Sequence, residues 1–167
     1  MSDALVSDFK TAFRGHPAGI ALVTAATATG PVGLTASSVA SVALDPTTLV
    51  FSVTRATGTA GALLGAHSML VHFLGAQHEE IARTFATSGS PRFTPDQGWE
   101  RLPTGEPFLA DARAALRAVP LHVHSVGSSS LIIAEVVEVR LGPPAPALVW
   151  YDLGYHAVGG GAVIRRG

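Results

Sequence analysis

Two stretches of this sequence concentrate groups able to hold a ligand. In Gly33-Leu34-Thr35-Ala36-Ser37-Ser38, small and hydroxyl side chains follow one another and can build little core. A strand of this kind leaves room for a flat ligand, whose polar ring edge could be met by backbone N–H groups and hydroxyls. A small-residue packing face would use the same pattern. Further along, Thr54, Arg55, Thr57 and Thr59 gather hydroxyls and one cation where a helix is expected to begin. That is the composition of an anion site, and Thr57 by itself is equally an ordinary helix N-cap.

Other chemistries find less support. His122 and His124 alternate along a predicted strand, so both point to one face, where they could share a metal or simply line a cavity or subunit contact. No H-E-x-x-H pattern or spaced carboxylate accompanies them, and no metal site is expected. His67, His72 and His78 read as surface or rim residues. Gly127-Ser128-Ser129-Ser130 does not fit the G-x-S-x-G nucleophile elbow. A G-x-x-x-x-G-K-[ST] loop is missing, and the clustered glycines Gly159-Gly160-Gly161 precede no helix, which argues against P-loop and Rossmann cradles. With no cysteine, the chain has no disulfide, thiolate zinc site, iron–sulfur cluster or Cys nucleophile.

The elements that must position these residues are mostly strands. Leu5, Phe9, Ala12 and Phe13 recur at helical spacing, and Gly15 and Pro17 end that short amphipathic helix. Gly19 to Thr27 is a small and β-branched run, followed by turn residues at Thr29-Gly30-Pro31 and a second run from Val32 to Leu44. Asp45-Pro46 stops it before a third strand, Thr48 to Thr54. Thr57 to Ala66 tolerates a helix, Met69 to Leu74 is strand-like, and Gln77 to Phe85 puts Ile81, Ala82 and Phe85 on one helical face. Ser88 to Gly105, with three prolines and three glycines, reads as a long surface loop. Leu116 to Val126, Ser130 to Leu141 and Ala147 to Tyr151 complete the strands, and the tail from Gly159 reads as loose. Strands separated by turns and only short helices predict a mainly β, antiparallel barrel or sandwich rather than alternating βαβ units.

Composition sets the outer bounds. A chain of 167 residues with 47% hydrophobic and 14% charged content is expected to form one domain over residues 1–167. A formal charge of -1 gives no reason to expect nucleic acid or an anionic membrane as partner. The first residues lack a basic segment leading into an apolar one, and no apolar run is long enough to span a bilayer, so the expected location is the cytoplasm.

Several motifs in order resemble the flavin reductase-like family, whose fold is the FMN-binding split barrel, an antiparallel Greek-key β-barrel with a few flanking helices. They are Phe13 with Gly19-Ile20-Ala21-Leu22-Val23-Thr24, then Gly33-Leu34-Thr35-Ala36-Ser37-Ser38-Val39-Ala40-Ser41-Val42 with Asp45-Pro46, and Arg55-Ala56-Thr57-Gly58-Thr59. Gln77 with Ala82 and Phe85-Ala86, Arg92-Phe93 with Trp99, Gly105-Glu106-Pro107-Phe108-Leu109, and Leu148-Val149-Trp150-Tyr151 with Gly154-Tyr155-His156 continue it. The resemblance implies a homodimer that binds FMN or FAD near the subunit interface. It also implies reduction of that flavin by NADH or NADPH and delivery of the product to a partner monooxygenase.

By position, Thr35, Ala36, Ser37 and Ser38 would meet the isoalloxazine ring, and Thr57 and Thr59, with Thr54 and Arg55 beside them, would hold the phosphate. Arg92 and Phe93 would flank the flavin, and His156 would lie on the closing strand. Where many members carry Gly-Asp-His ahead of a strand ending in Gly-Glu-Val, this chain reads Gly127-Ser128-Ser129 and then Ala134-Glu135-Val136. Ser129 thus stands where the family's nicotinamide-linked histidine does, as a hydrogen-bond donor without a ring or charge. The alternative that this substitution raises is a flavin-binding carrier that does not use nicotinamide.

Overall fold

The computed structural model describes residues 2–54 and 57–159. Helix α1 (Asp3–Arg14) is capped by the Ser2 side chain, which accepts from the Leu5 N–H, and none of its residues is buried. Strand β1 (Ala18–Gly19) leads into β2 (Ala21–Thr27) and β3 (Gly30–Ala36), a hairpin in register from Ala21↔Ala36 to Thr27↔Gly30. Gly30, at φ 120, closes the turn in a conformation that side chains resist.

Along β2 successive side chains point to opposite faces, and both faces are covered. Ala21, Val23 and Ala25 enter one buried cluster with Phe51, Met69, Val71 and Ile132. Ile20 and Leu22 enter a second with Leu74, Phe85, Leu109 and Leu148. The one buried polar side chain in the run, Thr24, donates to the Pro107 carbonyl at 2.7 Å.

The run expected from Val32 to Leu44 is two strands rather than one. β3 stops at Ala36, and β4 (Ala40–Leu44) starts after a bend at Ser37–Val39. The bend is held by a side chain. Ser38 Oγ accepts from the Ser52 N–H at 2.9 Å and donates to the Ser52 carbonyl at 3.3 Å, taking the place of a backbone partner on β5 (Thr47–Thr54). Helix α2 (Gly58–Leu64), β6 (Met69–Phe73) and helix α3 (Glu79–Ala86) follow.

The expected surface loop from Ser88 to Gly105 contains a 3-10 turn at Pro95–Gln97 and strand β7 (Trp99–Arg101), which pairs with β8 (Pro107–Leu109). Trp99 is why this segment folds inward. Its ring packs 5.6 Å from Phe85, 5.0 Å from Phe93 and 6.0 Å from His72. The long strands β9 (Ala114–Val126) and β10 (Ser129–Leu141) form a hairpin, and β11 (Ala147–Tyr151) and β12 (Gly154–Val158) another.

The main sheet runs β3-β2-β6-β9-β10-β5-β4, every pairing antiparallel. It is flanked by a β1-β11-β12 sheet. The mainly β, antiparallel split-barrel expectation holds. Among the described residues no helix is long and apolar enough to cross a membrane.

His72 and His78, expected at the rim, are instead buried. His72 on β6 lies 3.0 Å by Nδ1 from the Leu22 carbonyl, and its Nε2 accepts from the Leu109 N–H at 3.2 Å. A carbonyl on one side and an N–H on the other fix a neutral ring with the proton on Nδ1. Burial is the main cause that lowers its pKa from 6.5 to about 4. Glu106 is also buried, accepting from Ser68 at 2.5 Å, from Thr104 and from Arg117 Nε at 2.8 Å. Burial alone would raise this carboxyl, but those donors outweigh it and hold the pKa at about 2, below its usual 4.5.

Both groups bind protons more tightly in the unfolded chain, so both favour folding at neutral pH and lose that contribution on acidification. The melting temperature should therefore be level above pH 6.5 and fall as His72 is forced to charge between 6.5 and about 4. It should fall again between 4.5 and about 2 as Glu106 is protonated. Glu106→Gln should remove the lower step, and a melting temperature that climbs on acidification contradicts both assignments.

Candidate functional site

The small-residue strand and the hydroxyl cluster of the sequence meet around one cavity of about 910 Å3. Its walls are the end of β3 with the following bend, the end of β5, the start of α2, the end of α3 and the loop that runs on to Arg92. β3 is the terminal strand of its sheet and pairs on one side only, so its outer edge retains unpaired backbone donors and acceptors. Gly33 is required there by close approach. A Cβ at this position would come within 2.8 Å of Phe85 Cε1 and 3.1 Å of Phe93 Cζ.

Of the residues expected from the sequence, Thr35, Ala36, Ser37, Ser38, Thr54, Thr57, Thr59 and Arg92 all line the cavity. Ser37 and Ser38 are exposed to it, while Thr35 donates its hydroxyl proton to the Ala82 carbonyl at 2.7 Å and so ties β3 to α3. Thr57 occupies the N-cap position of α2 but makes no side-chain capping bond, which leaves its hydroxyl available. Helix α2 has only seven residues and contributes a weak dipole. The positive charge of the described lining comes from Arg92.

Arg92 is held by neutral groups. Nη1 donates to the Gly33 carbonyl at 3.0 Å and to Thr59 Oγ1 at 3.3 Å, and Nη2 donates to the Thr87 carbonyl at 3.1 Å. The guanidinium carbon sits 5.5 Å from the centre of the Phe85 ring. Nε is buried with no hydrogen-bond partner, and burial pushes the pKa of the group down. Among the described residues Arg92 is in no ion pair with a carboxylate. A partly desolvated cation without a counter-ion favours an anionic ligand, and a charge-assisted hydrogen bond to one contributes about 1.5–3 kcal/mol.

The remaining expected residues lie elsewhere. Phe93, at φ 58, packs behind the cavity with its ring 5.0 Å from Phe85. Ser129 sits one strand beyond the rim, paired in register with Thr54, with its Oγ 3.5 Å from Thr54 Oγ1. His156 is exposed on β12, with Nε2 3.1 Å from the Tyr151 carbonyl, and does not reach the cavity. Arg55 falls outside the described residues. His122 and His124 stack at 5.9 Å on an exposed part of β9, and no group of three or more metal-ligating side chains occurs among the described residues.

Sequence reasoning missed Ser88-Gly89-Ser90, which supplies part of the cavity wall next to Arg92. The only signal was local: two hydroxyls around a glycine that takes φ 79, immediately before Pro91 and Arg92.

The chain belongs to the flavin reductase like domain family, which it matches over residues 13–159. It is 37% identical over 133 residues to an NADH:FMN oxidoreductase of Rhodococcus erythropolis, covering 80% of this chain and 69% of that protein. A flavin reductase domain protein from Arthrobacter sp. FB24 superposes with a TM-score of 0.87 at 29% identity, covering 96% of this chain and 99% of the other. The flavin reductase component of a bacterial two-component tryptophan halogenase does so with a TM-score of 0.82 at 25% identity, covering 92% and 98%.

The bend at Ser37–Val39 shapes the cavity mouth and depends on Ser38. Ser38→Ala should destabilise the fold by about 1 kcal/mol in urea unfolding, and an unchanged midpoint would show that the bend holds without that hydroxyl.

Proposed function

We propose that this chain is an NADH-dependent flavin reductase, with FMN its flavin, forming a single flavin reductase-like domain. The observation that carries the reading is Arg92, a partly desolvated cation without a carboxylate partner among the described residues, in a cavity walled also by small residues. Relatives named for NADH and FMN support the choice of both molecules.

The residues present fit a phosphorylated flavin. Arg92 with the hydroxyls of Thr57 and Thr59 suits a phosphate, and Ser88 and Ser90 add hydroxyls beside them. Arg55 would add a second cation. Ala36, Ser37 and Ser38, with no side chain larger than a hydroxymethyl, suit a flat ring approached edge-on, and Thr54 at the end of β5 adds a further hydroxyl to the lining. Phe93 backs the wall without entering it. When bound, the flavin supplies a ring that accepts two electrons from reduced nicotinamide.

The chain's own contribution is alignment and exclusion of water. Among the described lining residues none is Asp, Glu or His, as expected of a step governed by ring stacking rather than proton transfer. Free backbone N–H groups at the β3 edge would stabilise negative charge at a ring edge. Ser129, one strand beyond the rim, would be the hydrogen-bond donor on the nicotinamide side. His156 has no role in the cavity of a single chain.

The active form proposed is a homodimer in the cytoplasm that passes reduced flavin to a partner monooxygenase. Leu5, Phe9 and Phe13 on α1, and Leu121, Val123, Val126, Val139 and Leu141 on the β9–β10 hairpin, are large apolar side chains left exposed, the surfaces a second copy would cover. The relative in the two-component tryptophan halogenase supports transfer to a separate flavin-using enzyme.

Steady-state oxidation of NADH by the purified chain tests the activity. Turnover should depend on added FMN and saturate with it. FMN binding without NADH oxidation would overturn the reading in favour of a flavin carrier.

A further inference from the structure

Arg92 and Phe93 lie in a segment that is neither helix nor strand, and Phe93 holds φ 58, an unfavourable conformation for an aromatic residue. Something must hold this pair in place if the guanidinium is to face Thr59. The hydrogen bonds on either side of it converge on one side chain that the cavity does not contain. Gln97 Nε2 donates to the Pro91 carbonyl at 3.1 Å, immediately before Arg92. Gln97 Oε1 accepts from the Thr94 N–H at 3.2 Å, immediately after Phe93, and from Trp99 Nε1 at 3.0 Å.

All of these partners have fixed roles. A backbone N–H and an indole N–H only donate, and the proline carbonyl only accepts, so the amide has one orientation that satisfies them. The grip extends to the rings. Trp99, anchored by Gln97, packs 5.0 Å from Phe93, whose ring lies against Gly33 and Phe85. Gln97 therefore brackets the two-residue segment at both ends and braces the aromatic wall on which the Arg92 guanidinium rests.

We propose that Gln97 is the positioning residue for Arg92: its amide fixes the loop that aims the cation, and it thereby sets how strongly the site prefers a phosphorylated flavin over the same ring without phosphate. This rests on the reading of the cavity as a flavin site with its phosphate at Arg92. The consequence is selective. Loosening the clamp displaces the cation, while the ring-binding bend at Ser37 and Ser38 keeps its own anchor on Ser52.

The test compares the affinities of FMN and riboflavin, by quenching of flavin fluorescence, in the unaltered chain and in Arg92→Ala, Gln97→Met and Gln97→Asn. Methionine keeps the length of the side chain and removes its hydrogen bonds. Asparagine keeps an uncharged amide with the same donor and acceptor, one methylene short of the Pro91 carbonyl and the Thr94 N–H, which makes it both the conservative variant and the substitute if the methionine variant fails to fold.

Arg92→Ala should lower the FMN-to-riboflavin affinity ratio by roughly ten- to a hundredfold. Gln97→Met should lower it by about tenfold with riboflavin affinity little changed, and Gln97→Asn by less. A fall in the ratio for Arg92→Ala but not for the Gln97 variants overturns the positioning role alone. So does an equal loss of both ligands in the Gln97 variants, the mark of a purely structural residue. An unchanged ratio in Arg92→Ala overturns the phosphate reading and the inference with it.

Discussion

The constraint on which the rest of the site depends is the placement of one guanidinium among neutral groups. Arg92 is held by two backbone carbonyls and a threonine hydroxyl, lies over the Phe85 ring and has one nitrogen buried without a partner. Each contact orients the cation, and none neutralises it. A carboxylate in the same place would have made a structural ion pair of no use to a ligand. The uncompensated charge therefore gives the cavity its chemical identity, and the small residues of the β3 edge give it its shape.

The fold serves that arrangement by tying the walls to one another, Thr35 of β3 to the Ala82 carbonyl of α3 and Arg92 to the Gly33 carbonyl of β3. β2 is covered on both faces, and its partner β3 is thereby a rigid outer strand whose free edge can face a ligand. Ser38 bends the chain out of β3 by borrowing the backbone of Ser52. On the other side, Phe85, Phe93 and Trp99 form a contiguous ring cluster behind Arg92. Deeper in the fold, His72 and Glu106 hold β8 and its preceding turn to β2, β6 and β9, at the cost of requiring one neutral ring and one ionised carboxylate.

Much of this was legible in the residues. The hairpin of β2 and β3, the long β9–β10 pair and the concentration of hydroxyls at Thr35–Ser38 and at Thr57 and Thr59 are local patterns, and local patterns survive in sequence. The break at Ser37–Val39 was not legible, because Ser38 finds its partner 14 residues away and Val, Ser and Thr continue on both sides of it. His72 looked peripheral for a similar reason: its partners, Leu22 and Leu109, are 50 and 37 residues distant, and a lone histidine has no periodicity that betrays burial. Ser88-Gly89-Ser90 and Gln97 read only as turn-forming residues, since their roles exist only once Arg92 is folded against β3. The resemblance to the flavin reductase-like family linked Arg92 to the flavin; its isolation from carboxylates became visible only in three dimensions.

The central claim is that the cavity distinguishes its ligand by a phosphate at Arg92. Its most direct measurement is a side-by-side titration of the unaltered chain with FMN and riboflavin at low and high salt. The account predicts that FMN binds about tenfold or more tightly, and that added salt narrows the difference as it screens the partly exposed cation. Equal affinity for the two ligands at low salt would contradict it.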